Sequence, residues 1–279
     1  MPRLRSLRGS ARLAAGAAFA YGAMAVIGPL VMGDAGLHID LAHDLAPPGR
    51  HGAGLLGNAD NGIDVLTALV WGARTSLATA GAATLVTVAV GLVVGAMAAS
   101  AGRRVDAVVL RLLDVLLAFP GILLAVYLAA VLPPSPLTVV AALSATGWAG
   151  TARVVRARVL EIRAVEHVAA ARALGASPAA IVMRHVLPFV WAPLLVQGSF
   201  ALSSAILAEA SLAFLGLGLP PGSPSWGGLL DEGVAYLFVA PHLAIAPGIC
   251  ITAAVLAFHV LGDALRDILD VRAGRPAEL

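Results

Sequence analysis

Runs of about twenty uncharged, mostly apolar residues recur along the chain, and short Arg-bearing stretches separate them. A hydrocarbon core about 30 Å thick needs roughly 20 residues of helix at about 1.5 Å rise each, so every such run predicts a membrane-spanning helix. Six emerge: Leu13 to Met32, Thr75 to Gly102, Val105 to Leu132, Leu137 to Ala152, Leu187 to Leu215, and Pro241 to Gly262. The third carries Asp106, Arg111 and Asp114 at its start, and Pro133, Pro134 and Pro136 break the chain after it. Between the fifth and sixth, the Gly- and Pro-rich stretch from Gly216 to Tyr236 reads as an outer loop or re-entrant element, with Trp226 as an interface anchor. The pattern predicts an all-α integral membrane protein. Residues 1–12 form a cytoplasmic segment, 13–32 the first transmembrane helix, 33–74 an extracytoplasmic loop, 75–265 a five-helix core, and 266–279 a cytoplasmic tail.

Composition agrees. The chain is 59% apolar and only 12% charged, with a mean hydropathy of +0.91, whereas soluble domains carry about a quarter charged residues to keep their surface wet. All 18 basic residues are Arg. Without a Lys the chain has no P-loop lysine for a nucleotide's terminal phosphates and no amine for Schiff-base chemistry. The Arg residues are strung between apolar runs, so the net charge of +2 points to membrane topology and not to nucleic acid. A single cysteine, Cys250, excludes a disulfide framework and a cysteine-ligated zinc site.

Sorting Arg by the loops gives the orientation. Arg3, Arg5, Arg8 and Arg12 precede the first span, and Arg103, Arg104 and Arg111 sit around the start of the third. Arg153, Arg156, Arg158, Arg163, Arg172 and Arg184 lie between the fourth and fifth spans, and Arg266, Arg272 and Arg275 follow the sixth. Only Arg50 and Arg74 fall on the other face. The positive-inside rule then predicts a multi-pass plasma-membrane protein with both termini in the cytoplasm. The first run is longer than a secretory signal core, which favours a retained span.

Polar residues in apolar surroundings are the candidates for chemistry. Glu209 is the lone acid deep in a predicted span, where insertion of an ionisable residue costs about 2.5 to 3.5 kcal/mol, so it is a translocation or gating candidate with packing as the alternative. His259 and Asp114 have no spacing that would join them in a proton relay. Asp34, His38, Asp40, His43, Asp44 and His51 in the outer loop include metal-ligand types, but no helix register holds them together, and a solvated loop with no metal is expected. Ser199 lacks a Gly-x-Ser-x-Gly elbow, which argues against a serine-type membrane enzyme. Pro120, Pro188, Pro193 and Pro247 can kink helices for rocking motions.

The long cytoplasmic connection, 151–186, reads as helix, turn and helix. Arg153 to Leu174 contains no Pro or Gly and is rich in helix formers. Gly175 suits the left-handed position that closes a helix, and Ser177 with Pro178 supplies an N-cap and a first-turn proline for the next. The Ala169, Ala170, Ala171 run offers a low face for close approach by another protein, with Arg172 and Arg184 beside it. An amphipathic helix lying on anionic lipid is the alternative.

Three motifs carry a resemblance. Glu166-His-Val-Ala-Ala-Ala-Arg-Ala-Leu-Gly175-Ala-Ser-Pro178, followed by Arg184-His-Val-Leu-Pro188, resembles the cytoplasmic coupling motif of ATP-binding cassette importer permeases. Ala208-Glu209-Ala-Ser-Leu-Ala-Phe-Leu-Gly-Leu-Gly218 with Pro224-Ser-Trp-Gly227, and Leu261-Gly-Asp-Ala-Leu-Arg-Asp-Ile-Leu-Asp270, resemble later signatures of the dipeptide, oligopeptide and nickel branch. The resemblance runs from about Leu55 to Arg272. It implies a permease subunit that pairs with a second homologous permease, docks on two cytoplasmic ATP-binding subunits, and receives peptides or nickel-type solutes from an extracytoplasmic substrate-binding protein. The chain itself is expected to bind no cofactor, ATP and magnesium being held by the partner ATPases.

On this resemblance Glu166, Ala169, Ala170, Ala171, Arg172, Gly175, Ala176, Ser177 and Pro178 fall on the ATPase-coupling element at 153–186, and Leu187 and Pro188, just after it, belong to the same ATPase-coupling motif. Ala169 stands where the motif has its leading acid, with Glu166 one turn earlier, and Ile63 stands where the family carries an Arg. The rival reading is an ion-gradient-coupled secondary transporter, which would need one intramembrane acid and no ATPase partner.

Overall fold

The structure is a computed structural model, and it describes residues 2–49, 51 and 53–273. Arg50, Arg275 and the end of the expected tail lie outside the described residues, as do the side chains of Arg3, Arg5, Arg8, Ala169, Arg172 and Pro178. Ten α-helices follow one another, with no strand among the described residues: α1 (Pro2–Met32), α2 (Val65–Ser100), α3 (Arg103–Ala118), α4 (Gly121–Val131), α5 (Pro136–Arg163), α6 (Glu166–Ala173), α7 (Pro178–Ile181), α8 (Leu187–Phe214), α9 (Trp226–Ala235) and α10 (His242–Ala273).

Four of these are long and apolar enough to cross a bilayer: α1, α2, α8 with the segment before it, and α10. The pair α3 and α4, bent by 79°, makes a fifth candidate. The sequence pattern had joined this pair into one run from Val105 to Leu132. Pro120 breaks it, because it lacks an N–H for the helix ladder and pushes Phe119 into extended backbone at φ −86°, ψ 135°. Helix α5 is 28 residues long, but Arg153, Arg156, Arg158 and Arg163 charge its last third.

Two further boundaries differ from expectation. Helix α2 starts ten residues before Thr75, since the Asp64 carboxylate caps it by accepting the Thr67 N–H at 2.8 Å and the Thr67 hydroxyl at 2.5 Å. The outer loop therefore ends at residue 64. At the basic end, the expected helix Arg153 to Leu174 is divided by a turn at Ala164 and Val165, so α5 closes at Arg163 and α6 opens at Glu166. The Arg163 guanidinium donates to the Ala99 carbonyl near the end of α2 and ties the two helix ends together, while the Ala164 N–H turns back to the Glu161 and Ile162 carbonyls and closes α5.

Helix α2 is the hub. It packs along α5 at glycine separation: a β-carbon at Gly91 would stand 2.6 Å from the Thr151 side chain, and one at Gly147 would stand 2.9 Å from Thr87 Oγ1. Lipid offers no hydrophobic drive between helices, so close backbone approach and dispersion hold this contact. At the end opposite the Arg-rich one, Ala73, Ala80, Ile206, Trp226, Leu243 and Ala254 form a buried cluster from α2, α8, α9 and α10.

Candidate functional site

At the Arg-rich end, α6 and α7 form a small bent knob. The Ala176 N–H donates to the Ala171 carbonyl at 3.1 Å, a six-to-one closure that needs Gly175 in the left-handed region at φ +84°. Ser177 Oγ accepts the Ala180 N–H at 3.2 Å and caps the next helix, which begins at Pro178. A wide π-type segment, Val182–Val186, then joins α8, with the Leu187 N–H reaching back to the Val182 carbonyl. Pro188 explains that register, since it cannot supply the next ladder N–H.

The knob is bolted to the bundle by its apolar inner side. Val168, Ile181 and Val186 are buried together with Ala99, Val155, Val159, Ile162 and Val190. Its outer side is bare: Glu166, Ala170, Gly175 and Pro188 are exposed, Ala171, Ala176 and Leu187 half-buried, Leu174 89% exposed and Met183 63%. Two large apolar side chains of the knob are thus left uncovered by the chain. Two ion pairs brace the helices behind it. Arg156 grips Asp106 with both Nε and Nη2, the latter at 2.7 Å, and Arg153 holds Asp114.

Midway along the bundle lies a cavity of about 310 Å³ between α2, α4, α5 and α8. Thr84, Thr87, Thr146, Gln197 and Ser204 give it hydroxyl and amide groups, Ile122 and Phe200 give it apolar walls, and no ionisable side chain lines it. The polar lining was missed in the sequence, although Gln197, Ala201, Ser204 and Ala208 already mark one helical face of small and polar residues on α8. Ser199 is not part of it, and donates to the Leu195 carbonyl of its own helix at 3.0 Å. Asp114 and His259 are kept apart, the first on Arg153 and the second tilted against Phe200 at 4.9 Å.

Glu209 is 1% exposed yet does not line the cavity. It faces α2, where neither of its oxygens finds a partner of good hydrogen-bond geometry. Ser76 is the polar neighbour, and its hydroxyl accepts the Trp226 N–H at 3.2 Å. Trp226 itself is fully buried and donates Nε1–H to the Leu69 carbonyl at 3.0 Å, so it is a core residue and not the interface anchor its position suggested. The space is tight because Gly227 lies directly on the Ala210 backbone.

Beyond α9 the loop 33–64 folds back on the bundle. Asn58, 6% exposed, accepts the Gly54 N–H at 2.9 Å and donates to the Gly62 carbonyl at 2.7 Å, while Glu232 accepts the Asp60 N–H at 3.2 Å. Burial raises the Glu232 carboxyl above its ordinary range, opposed by that N–H and reinforced by the nearby acids Asp60 and Asp231. His43 Nδ1 sits 2.7 Å from Asp40 and holds its carboxyl below the usual range. Among the described residues no group of three His, Cys, Asp or Glu side chains is placed to hold a metal.

Residues 91–275 match the family described as "Binding-protein-dependent transport system inner membrane component". A Brucella suis chain named for a peptide transport system permease is 42% identical over 226 residues, 81% of this chain and 75% of that one. The glutathione transport system permease protein GsiD of Pectobacterium atrosepticum is 37% identical, covering 82% and 76%. The dipeptide transport system permease protein DppC of Bacillus subtilis is 34% identical, covering 90% and 78%. Among solved structures, a chain of the MetNI methionine ABC transporter in inward-facing conformations has the same fold, with a TM-score of 0.56 at 20% identity, covering 73% of this chain and 96% of that chain.

Proposed function

The chain belongs to the binding-protein-dependent transport system inner membrane component family, and from that premise we propose how it works as the permease subunit of an ATP-binding cassette importer of peptides. Counting α5 as a span beside the five candidates gives six, and the Arg distribution supports placing both termini and the knob in the cytoplasm. The observation that carries the reading is the Gly175-closed knob, anchored by Val168 and Ile181 while Leu174 and Met183 stay bare.

In this account the knob is the docking element for one of two cytoplasmic ATPase subunits that hold ATP and magnesium. Glu166, Ala169, Ala170, Ala171, Arg172, Gly175, Ala176, Ser177 and Pro178 form the contact, and Leu187 and Pro188 pass its displacement into α8. A nucleotide-dependent shift at the docking surface moves the permease only so far as the two states differ there, and the buried Val168 and Ile181 make the transfer stiff. A second homologous permease completes the pathway, since the cavity supplies one half of it, and an extracytoplasmic binding protein delivers solute to the loop end. Peptide is favoured over nickel by the relatives' names and by a lining of hydroxyl and amide groups. Such a lining solvates a zwitterion without trapping either terminus.

Glu209 acts in this account as a gating contact behind the cavity wall. An ion-coupled carrier is disfavoured, because the one deep acid does not reach the cavity. The test is uptake of a mixed peptide digest into proteoliposomes holding the assembled complex. Uptake that needs ATP and ignores an imposed ion gradient supports the importer; uptake driven by the gradient alone overturns it.

A further inference from the structure

A second cavity, of about 480 Å³, opens on the bundle's flank between α1 and α2. Its walls are Gly22, Ala25, Val26 and Leu30 on α1 with Leu77 and Ala78 on α2, and the one charged group in its lining is Arg74. The groove exists because α1 is held to α2 mainly near its end, where Gly28 abuts Val70, and its apolar window is only 11% buried inside the chain. Below that contact small residues leave the two helices apart.

Arg74 is out of place by charge. It is one of two Arg on the loop side of the Arg distribution, it is exposed, and among the described residues it makes no ion pair. Its guanidinium lies 5.9 Å above the ring of Trp71, one helical turn nearer the loop end. Trp71 in turn donates Nε1–H to the Gly33 carbonyl at 2.7 Å, which fixes the ring at the end of α1. The guanidinium is thus drawn on its apolar stem toward the loop end, over an indole of the kind that anchors at a membrane interface. The groove descends from that point into the bilayer.

A free cation at the mouth of an apolar trough selects for an amphiphile with an anionic head. A protein helix would have to bring an acid to the right depth to keep the guanidinium paired, whereas an anionic lipid carries its charge and its apolar chain in one molecule. We propose that this groove is a binding site for one anionic glycerophospholipid of the leaflet at the loop end, its phosphate on Arg74 and an acyl chain along Val26, Ala25, Gly22 and Leu77. The lipid covers the flank of α1 that faces α2 below Gly28, beside the contacts Tyr21 already makes with Cys250 and Trp226.

The test is native mass spectrometry of the full chain, purified with its co-assembling subunits from bilayers of equal phosphatidylglycerol and phosphatidylcholine. The native chain should retain one phosphatidylglycerol about fivefold over phosphatidylcholine, the ratio for about 1 kcal/mol from one Arg at an anionic surface. Arg74→Gln should bring that ratio to about one. Gly22→Leu, whose β-carbon meets no neighbouring atom, should remove retention of both lipids with the charge intact. Equal retention of the two lipids by the native chain, unchanged preference in Arg74→Gln, or full retention in Gly22→Leu each overturns the site. So does a crosslink from Ala78 to a neighbouring permease in place of lipid.

Discussion

The Ser76 hydroxyl accepts the backbone N–H of Trp226 at 3.2 Å across 150 residues of chain, and this bond seats α9 on the flank of α2. The Trp226 ring fills the space beneath, in an edge-to-face pair with Tyr21 whose ring centroids are 5.8 Å apart. One short helix thereby ties α1, α2, α8 and α10 together at the loop end. Ser76→Ala strands a buried N–H and should cost about 1 to 3 kcal/mol. Trp226→Ala leaves a ring-sized void and should cost about 3 to 5 kcal/mol. Thermal unfolding of the detergent-purified chain ranks the two, and an unchanged midpoint in both variants contradicts the seating role.

The two ion pairs behind the knob should differ. The Asp106 and Arg156 side chains are 23% and 18% exposed and meet through a two-nitrogen fork, whereas Asp114 and Arg153 are 58% and 48% exposed. Exposed pairs contribute about 0 to 1 kcal/mol, and forked, sheltered ones more. Double-mutant cycles on unfolding should give a coupling above about 1 kcal/mol for Asp106 with Arg156 and less than half of it for Asp114 with Arg153.

Glu209→Gln keeps the shape of a side chain that lies beside Ser76 and not on the cavity. Assembly should survive, while the rate of ATP-driven peptide uptake should change by about threefold or more, about 0.7 kcal/mol in the gating equilibrium. Uptake identical to the native complex assigns Glu209 to packing alone.

The Glu232 carboxyl titrates above its unfolded value, so the folded state binds more protons through the interval between the two. Stability from this group is therefore lost as pH rises through that interval. Glu232→Gln removes the titration. The native chain should lose unfolding temperature relative to the variant as pH rises from the ordinary glutamate range toward neutral, and a difference that stays flat rejects the assignment.

Much of the architecture was legible because lipid imposes a simple rule: long uncharged runs become helices. The same rule concealed α9, which buries Trp226 inside the bundle although its sequence looks like a loop with an aromatic anchor. It also joined α3 to α4, since apolarity continues through Pro120 while the backbone turns by 79°. The knob was visible in Gly175, Ser177 and Pro178, each required by local backbone geometry. The turn at Ala164 was not, because neither Gly nor Pro marks it in the sequence and the Arg163 contact beside it is made to Ala99 on another helix. The cavity lining escaped notice for a related reason, as Thr87, Thr146 and Gln197 meet only once three helices are packed.

The coupling claim is tested most directly by co-purification of the tagged chain from its native membrane, with mass spectrometry of its companions, for the native sequence, Leu174→Asp and Gly175→Val. A β-branched side chain at φ +84° carries about 1 to 2 kcal/mol of strain and should unseat the knob, while Leu174→Asp changes only its bare outer side. The account predicts that the second permease is recovered with all three and that the ATPase subunits come down with the native chain but are depleted at least tenfold in both variants. ATPase subunits recovered in full with Leu174→Asp and Gly175→Val would contradict it.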